Sequence, residues 1–125
     1  MSKLYNNWTC WYHSQSNNEN NWNIESYKKI LTVSTLEDGI IFINKLNYNI
    51  ITNSMIFIMR DDIKPIWEDE KNINGGCFSY KITNDIVNNV WKKLYYLLIG
   101  NTLIEDETIL KNINGLSISP KKNFC

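Results

Sequence analysis

Cysteine, histidine, proline and surplus charge are all in short supply in this chain of 125 residues. Its three cysteines, Cys10, Cys77 and Cys125, form an odd and widely spaced set. Such a set makes no disulfide framework and fits a reducing, cytoplasmic setting. The single histidine, His13, has no nucleophile–base partner in the sequence, so no catalytic constellation is in view and no enzyme is expected. Cys10 and His13 have C-x-x-H spacing, but Cys77 and Cys125 offer no second close pair, so no metal is expected either. Cys10 then reads as a small core residue, and His13 as an exposed residue at a strand end. There is no glycine-rich phosphate loop and no cofactor is implied. The formal net charge is zero, without the basic excess of a bulk polyanion binder. That balance still permits a site for one small charged ligand. No apolar run approaches the length of a membrane span, and the opening "MSKLYNN" lacks a signal-peptide core, so no membrane partner is expected.

Aromatic side chains, by contrast, are plentiful, with five tryptophans. Rings of that size call for either a core or a stacking site. The length fits one domain over residues 1–125. Loose alternation in "LYNNWTCWYH" predicts a strand over 4–13, and polar "SQSNNENN" a loop over 14–21. "KKILTVS" predicts a strand over 28–34. A capping box of Ser34 with Glu37 then opens a helix to about residue 46, with Leu36, Ile40, Ile43 and Leu46 on one face. Gly39 weakens that helix by roughly 1 kcal/mol relative to alanine. "SMIFIMR" (54–60) is apolar on both faces, hence a central strand. "CFSYKI" (77–82) alternates Phe78, Tyr80 and Ile82 and is expected to pair with 54–60 across the intervening acidic loop. Helical spacing of Ile86, Val87, Val90, Trp91, Leu94, Leu97 and Leu98 predicts a helix over 84–99, capped by Thr83 or Asn84 and ended by Gly100. Residues 105–115 read as a loop or short helix, and 116–119 as the start of another strand. The order of elements implies an α+β fold, with helices packed on one face of an antiparallel sheet.

The acidic loop "IKPIWEDEKNINGG" (63–76) sets Trp67 against three carboxylates. An indole face attracts flat cations, and a carboxylate accepts hydrogen bonds without donating. Together they suit a planar cation with N–H groups along one edge. Guanine methylated at N7 fits, since its Watson–Crick edge offers two parallel donors to one carboxylate. Stacking contributes about 1–3 kcal/mol per base, and a sandwich needs a second ring. Trp22, in the polar loop after "NNENN", is the candidate for that ring, with Glu68 as the edge reader.

Four stretches carry a family resemblance. "IKPIWEDEKNINGG" resembles the signature loop of eukaryotic translation initiation factor 4E, the mRNA cap-binding family. "WTCWY" resembles its first strand, "ENNWNIESYKKILTVSTLED" its stacking-tryptophan loop, second strand and helix start, and "VWKKLYYLLIG" its "F-W-L-x-x-L-L-x-L-I-G" helix. The resemblance implies a curved antiparallel sheet backed by helices on its convex face, with the 7-methylguanosine cap of mRNA in the concave face. It matches Trp22 and Trp67 to the stacking pair and Glu68 to the guanine reader. The Trp67 backbone N–H is matched to the contact with the guanine carbonyl, while Trp8, Trp11 and Trp91 are structural.

The departures from the pattern are specific. Cys77 and Phe78 stand where the family has a basic residue and a tryptophan, and Ser119 where it has an arginine. The family continues through further strands and a third helix, so the sheet is expected to be incomplete at its C-terminal end. Lys121 and Lys122 are the remaining phosphate contacts, on a tail expected to be untethered. The convex patch that receives the 4G scaffold or its competitors maps to Leu36, Ile40, Lys92, Lys93 and Tyr96, with Ile40 in place of a tryptophan and Lys93 in place of an acid. The sequence therefore supports two readings: a cap binder in translation initiation, or a remnant of the cap-binding fold that acts as a protein-interaction or regulatory module with weak or no cap affinity.

Overall fold

The computed structural model describes residues 2–13 and 26–125. Four strands, β1 (Lys3–His13), β2 (Tyr27–Thr35), β3 (Met55–Arg60) and β4 (Gly115–Ile118), form one antiparallel sheet in the order β2-β1-β3-β4. β1 and β3 lie in the middle, with Trp8 opposite Arg60 and His13 opposite Met55. Side chains of a strand alternate between faces, so Trp8 and Cys10 point to one side of the sheet and Thr9, Trp11 and His13 to the other. β3 is buried on both sides, as its unbroken apolar run requires.

The helices α1 (Leu36–Lys45), α2 (Tyr48–Asn53) and α3 (Val87–Ile99) all contribute to one core with the sheet. Trp8, Cys10, Ile56, Ile58, Phe42, Ile43, Ile51, Trp91, Tyr95 and Leu98 are buried there. A smaller cluster of Trp11, Phe57 and Met59 occupies the opposite face, covered by Tyr27, Met55 and Ile63. A short α4 (Glu107–Leu110), capped by the Asp106 carboxylate, precedes β4. Gly115 is required where β4 meets β3, because a Cβ there would lie 2.4 Å from the Ile58 carbonyl oxygen.

Five details differ from the sequence reading. The α1 cap is Thr35, whose hydroxyl accepts from the Asp38 N–H, whereas Glu37 accepts the Ser2 N–H instead of closing a box with Ser34. The buried stripe of α1 is Gly39, Phe42 and Ile43, continued by Leu46, while Leu36 and Ile40 are exposed. α3 starts at Val87 without a side-chain cap, since the Thr83 hydroxyl turns to Asp85. Residues 77–82 do not pair with β3, whose two edges are already taken by β1 and β4; only Ile82 is bonded through its backbone, to Cys125 in both directions. Helix α2 was not anticipated, although the Asn47 side chain caps it.

Candidate functional site

The segment after β3 is a turn-rich loop held by its own polar groups. Asp69 Oδ2 accepts the Lys64 N–H at 2.8 Å and Oδ1 the Lys71 N–H at 2.9 Å. Asn72 Nδ2 donates to the carbonyls of Lys64 and Ile66 at 2.8 and 2.7 Å. From the entrance to β4, Asn114 Nδ2 donates to the Lys71 carbonyl at 2.7 Å and to Asn72 Oδ1 at 2.9 Å. Asp and Asn side chains that replace backbone partners in this way fix a turn without regular structure. Ile63 roots the loop on the Trp11–Phe57–Met59 cluster, and Pro65 is buried.

This division of labour leaves two neighbours outward. The Trp67 indole is 59% exposed. Glu68 is exposed too, and its carboxylate has no hydrogen-bond or ion-pair partner among the described residues. The Trp67 backbone N–H is likewise uncommitted among them. The middle acid, Asp69, is a scaffold for the loop and not part of a solvated acidic face.

Glu68 is also near Tyr27, the first residue of β2. The Tyr27 phenol is pushed above its ordinary range first by burial and then by the Glu68 charge beside it. Tyr27 pairs with His13, the last described residue before the segment carrying Trp22. Trp22 itself lies outside the described residues. His13 is buried at 3% exposure, contrary to the expected exposed strand end, because its ring packs on Tyr27 with centroids 4.6 Å apart. Tyr27 in turn meets Phe57 edge-on at 5.5 Å. The sequence reading missed this floor of His13, Tyr27 and Phe57, although the one-in-two alternation of β1 puts His13 on the same face as Trp11.

Lys121 and Lys122 are exposed and follow β4, whose Ile118 pairs with Ile56 near the start of β3. Their tail is tethered, contrary to expectation. Lys121 N–H donates to the Phe124 carbonyl at 2.7 Å, and Cys125 exchanges backbone hydrogen bonds with Ile82. On the helix side, α1 and α3 meet where the Tyr95 hydroxyl donates to the Gly39 carbonyl at 2.9 Å. Leu36, Ile40 and Tyr96 border this seam at 37–39% exposure, with Lys93 exposed and Lys92 half-buried. Trp8, Trp11 and Trp91 are buried as structural residues, with the Arg60 guanidinium 4.7 Å from the Trp8 ring centroid. No cluster of metal-ligating side chains occurs among the described residues.

Known proteins share both the sequence pattern and this arrangement of elements. The family model for Eukaryotic initiation factor 4E matches residues 3–125. A eukaryotic translation initiation factor 4E homolog of Acanthamoeba polyphaga mimivirus is 30% identical over 136 residues, covering 94% of this chain and 50% of the relative. The factor of Candida albicans is 28% identical over 127 residues, covering 95% of this chain and 59% of the relative. The chain thus spans about half the length of the curated relatives it matches. Schistosome eIF4E, solved in complex with m7GpppG and 4E-BP, superposes with a TM-score of 0.84 at 28% identity, over 98% of this chain and 68% of that one. Ascaris suum eIF4E-3, solved with m7G cap, shares the fold at a TM-score of 0.78 and 21% identity, over 98% of this chain and 69% of that one. Matched by the family model over nearly its whole length, the chain belongs to the eukaryotic initiation factor 4E family of non-enzymatic translation factors.

Proposed function

We propose that the chain binds the 7-methylguanosine 5′ cap of mRNA in translation initiation. The observation that carries this reading is a half-exposed indole beside an uncommitted carboxylate on a loop locked by Asp69 and Asn72. Trp67 supplies one stacking plate and Trp22 the other. The Glu68 carboxylate accepts the ring N–H and exocyclic amine of the base, and the Trp67 N–H donates to its carbonyl oxygen. Methylation at N7 makes the base cationic, so both the indole quadrupole and the carboxylate charge favour it over neutral guanine. Locking the loop before the ligand arrives reduces the ordering cost of binding. Lys121 and Lys122 take the cap phosphates. Titration calorimetry with 7-methyl-GTP, GTP and 7-methylguanosine tests this. The two methylated compounds are expected to bind at least about tenfold more tightly than GTP, the scale of one charge-assisted hydrogen bond. Equal heats for 7-methyl-GTP and GTP would remove the basis of the proposal.

The seam between α1 and α3 supports a second contact. Leu36, Ile40 and Tyr96 are exposed apolar neighbours of a helix–helix junction, suited to an amphipathic helix of a 4G-type scaffold or its competitors. Relatives were solved in complex with a 4E-binding protein, Mextli in one case and 4E-BP in another. Lys92 and Lys93 place positive charge beside this patch, which favours partners whose flanking residues are acidic.

A further inference from the structure

We propose a second ligand site, a stacking and phosphate-binding platform for single-stranded RNA, built from residues 77–83 and the tail 121–125. From the cap reading it takes the expectation that the polymer is RNA, and it shares with that reading Lys121 and Lys122; Phe78, Tyr80 and Lys81 belong to the platform alone.

The platform begins with two unused rings. Phe78 is 93% exposed and Tyr80 is 78% exposed; with Tyr5 at 86% they are the three most open large apolar side chains among the described residues. They stand two residues apart on a segment that forms no backbone hydrogen bond from Gly76 to Lys81 among those residues. Neither ring supports the core, and each offers a flat face to solvent.

Charge is segregated at the same place. The pentapeptide Lys-Asn-Ile-Asn-Gly occurs at 71–75 and again at 111–115, and the two copies touch through Asn114 and Asn72. Residues 71–84 and 111–125 together hold Lys71, Lys81, Lys111, Lys121 and Lys122 and no aspartate or glutamate, in a chain whose net charge is zero. The two stretches meet again at the Ile82–Cys125 backbone pair and the Thr83–Phe124 bridge. Lys81 Nζ lies 4.3 Å from the Phe124 ring centroid, which holds its charge against the tail that carries Lys121 and Lys122. The bordering carboxylates are Glu70 and Asp85, and the latter is engaged by the Thr83 hydroxyl.

Open aromatic rings interleaved with lysines are what sequence-tolerant binding of single strands requires: bases stack on the rings while ammonium groups meet the phosphates. The charge selects among occupants. A protein strand added to this segment would need no lysine cluster, whereas a polyanion does. An RNA strand held at the cap by its first base would therefore have Phe78, Tyr80 and Lys81 for its later nucleotides.

The test uses the full chain, a labelled uncapped oligoadenylate of about ten nucleotides and fluorescence anisotropy. Binding is expected, weakening as salt rises. Phe78→Ser with Tyr80→Ser is expected to reduce affinity about tenfold or more, and Lys81→Ala to lower the salt slope by about one. Both side-chain sets are exposed, so melting temperatures should stay at the wild-type value, and affinity for 7-methyl-GTP should not change. No binding of the oligonucleotide by the wild-type chain, or equal binding by the double variant, overturns the platform. So does a double variant that loses self-association in light scattering yet keeps RNA affinity, since the segment would then be a protein interface. A wild-type chain that binds the oligoadenylate but not 7-methyl-GTP would instead overturn the cap reading and leave the platform standing.

Discussion

The carboxylates that follow Trp67 differ in role because their partners differ. Asp69 accepts two backbone N–H groups and shapes the loop, while Glu68 faces outward with its acceptor capacity unspent. A glycine shows the same dependence on surroundings. By helix propensity alone, Gly39→Ala should stabilise α1 by about 1 kcal/mol. Yet a Cβ at this position would lie 2.8 Å from Ile99 Cδ1 and 3.2 Å from the Tyr95 hydroxyl that bonds to the Gly39 carbonyl. Overpacking of this kind costs about 1–3 kcal/mol. Gly39→Ala is therefore expected to lower stability by about 1 kcal/mol in urea unfolding; a rise in stability would show that the α1–α3 seam is looser than its distances imply.

At the scale of elements, what was legible in the sequence followed from burial. β1, β3 and α3 announce themselves because each buries an apolar pattern, β2 reads as a strand from its β-branched residues although only Val33 and Thr35 are buried, and β4 is visible as a short apolar run before Pro120. The alternating run 77–82 reads as a strand by the same rule but lacks a neighbour, because β4 takes the edge of β3 that the run would need. Pattern reports what a segment could bury, not which partner reaches it first. The loop of the candidate site was legible in its outward residues, Trp67 and Glu68, and opaque in its tie to Asn114, 42 residues after Asn72. Thiol chemistry reports these placements. Burial pushes the Cys10 thiol up to about 12, and burial also raises that of Cys125, while Cys77 is exposed on the unpaired segment. Because thiolate and access together set the rate, alkylation of the native protein should modify Cys77 first and Cys10 last by peptide mass spectrometry. Modification of Cys10 at the rate of Cys77 without denaturant would contradict the packing of β1 beneath the helices.

For the whole molecule, zero net charge conceals a partition. The loop 61–70 and the turn at 105–107 hold acids, and the stretches around the tail hold lysines. The α1–α3 patch carries Lys92 and Lys93 beside exposed Leu36, Ile40 and Tyr96. Scaffold peptides with basic flanks should meet like charge there, so unmodified peptides of the 4G type are expected to bind with dissociation constants above about 1 μM. Submicromolar binding in calorimetry would show that the patch is not altered in the way its lysines indicate.

The central claim is that the Trp67 ring and the Glu68 carboxylate read the face and the edge of one cationic base. Intrinsic tryptophan fluorescence during titration with 7-methyl-GTP addresses it most directly, because the proposed plate is itself the reporter. Strong quenching by 7-methyl-GTP and little by GTP is expected, with the response lost in Trp67→Ala and in Glu68→Ala while both variants keep the wild-type melting temperature. Undiminished, methyl-selective quenching in both variants would contradict the account, since the ligand would then be bound elsewhere.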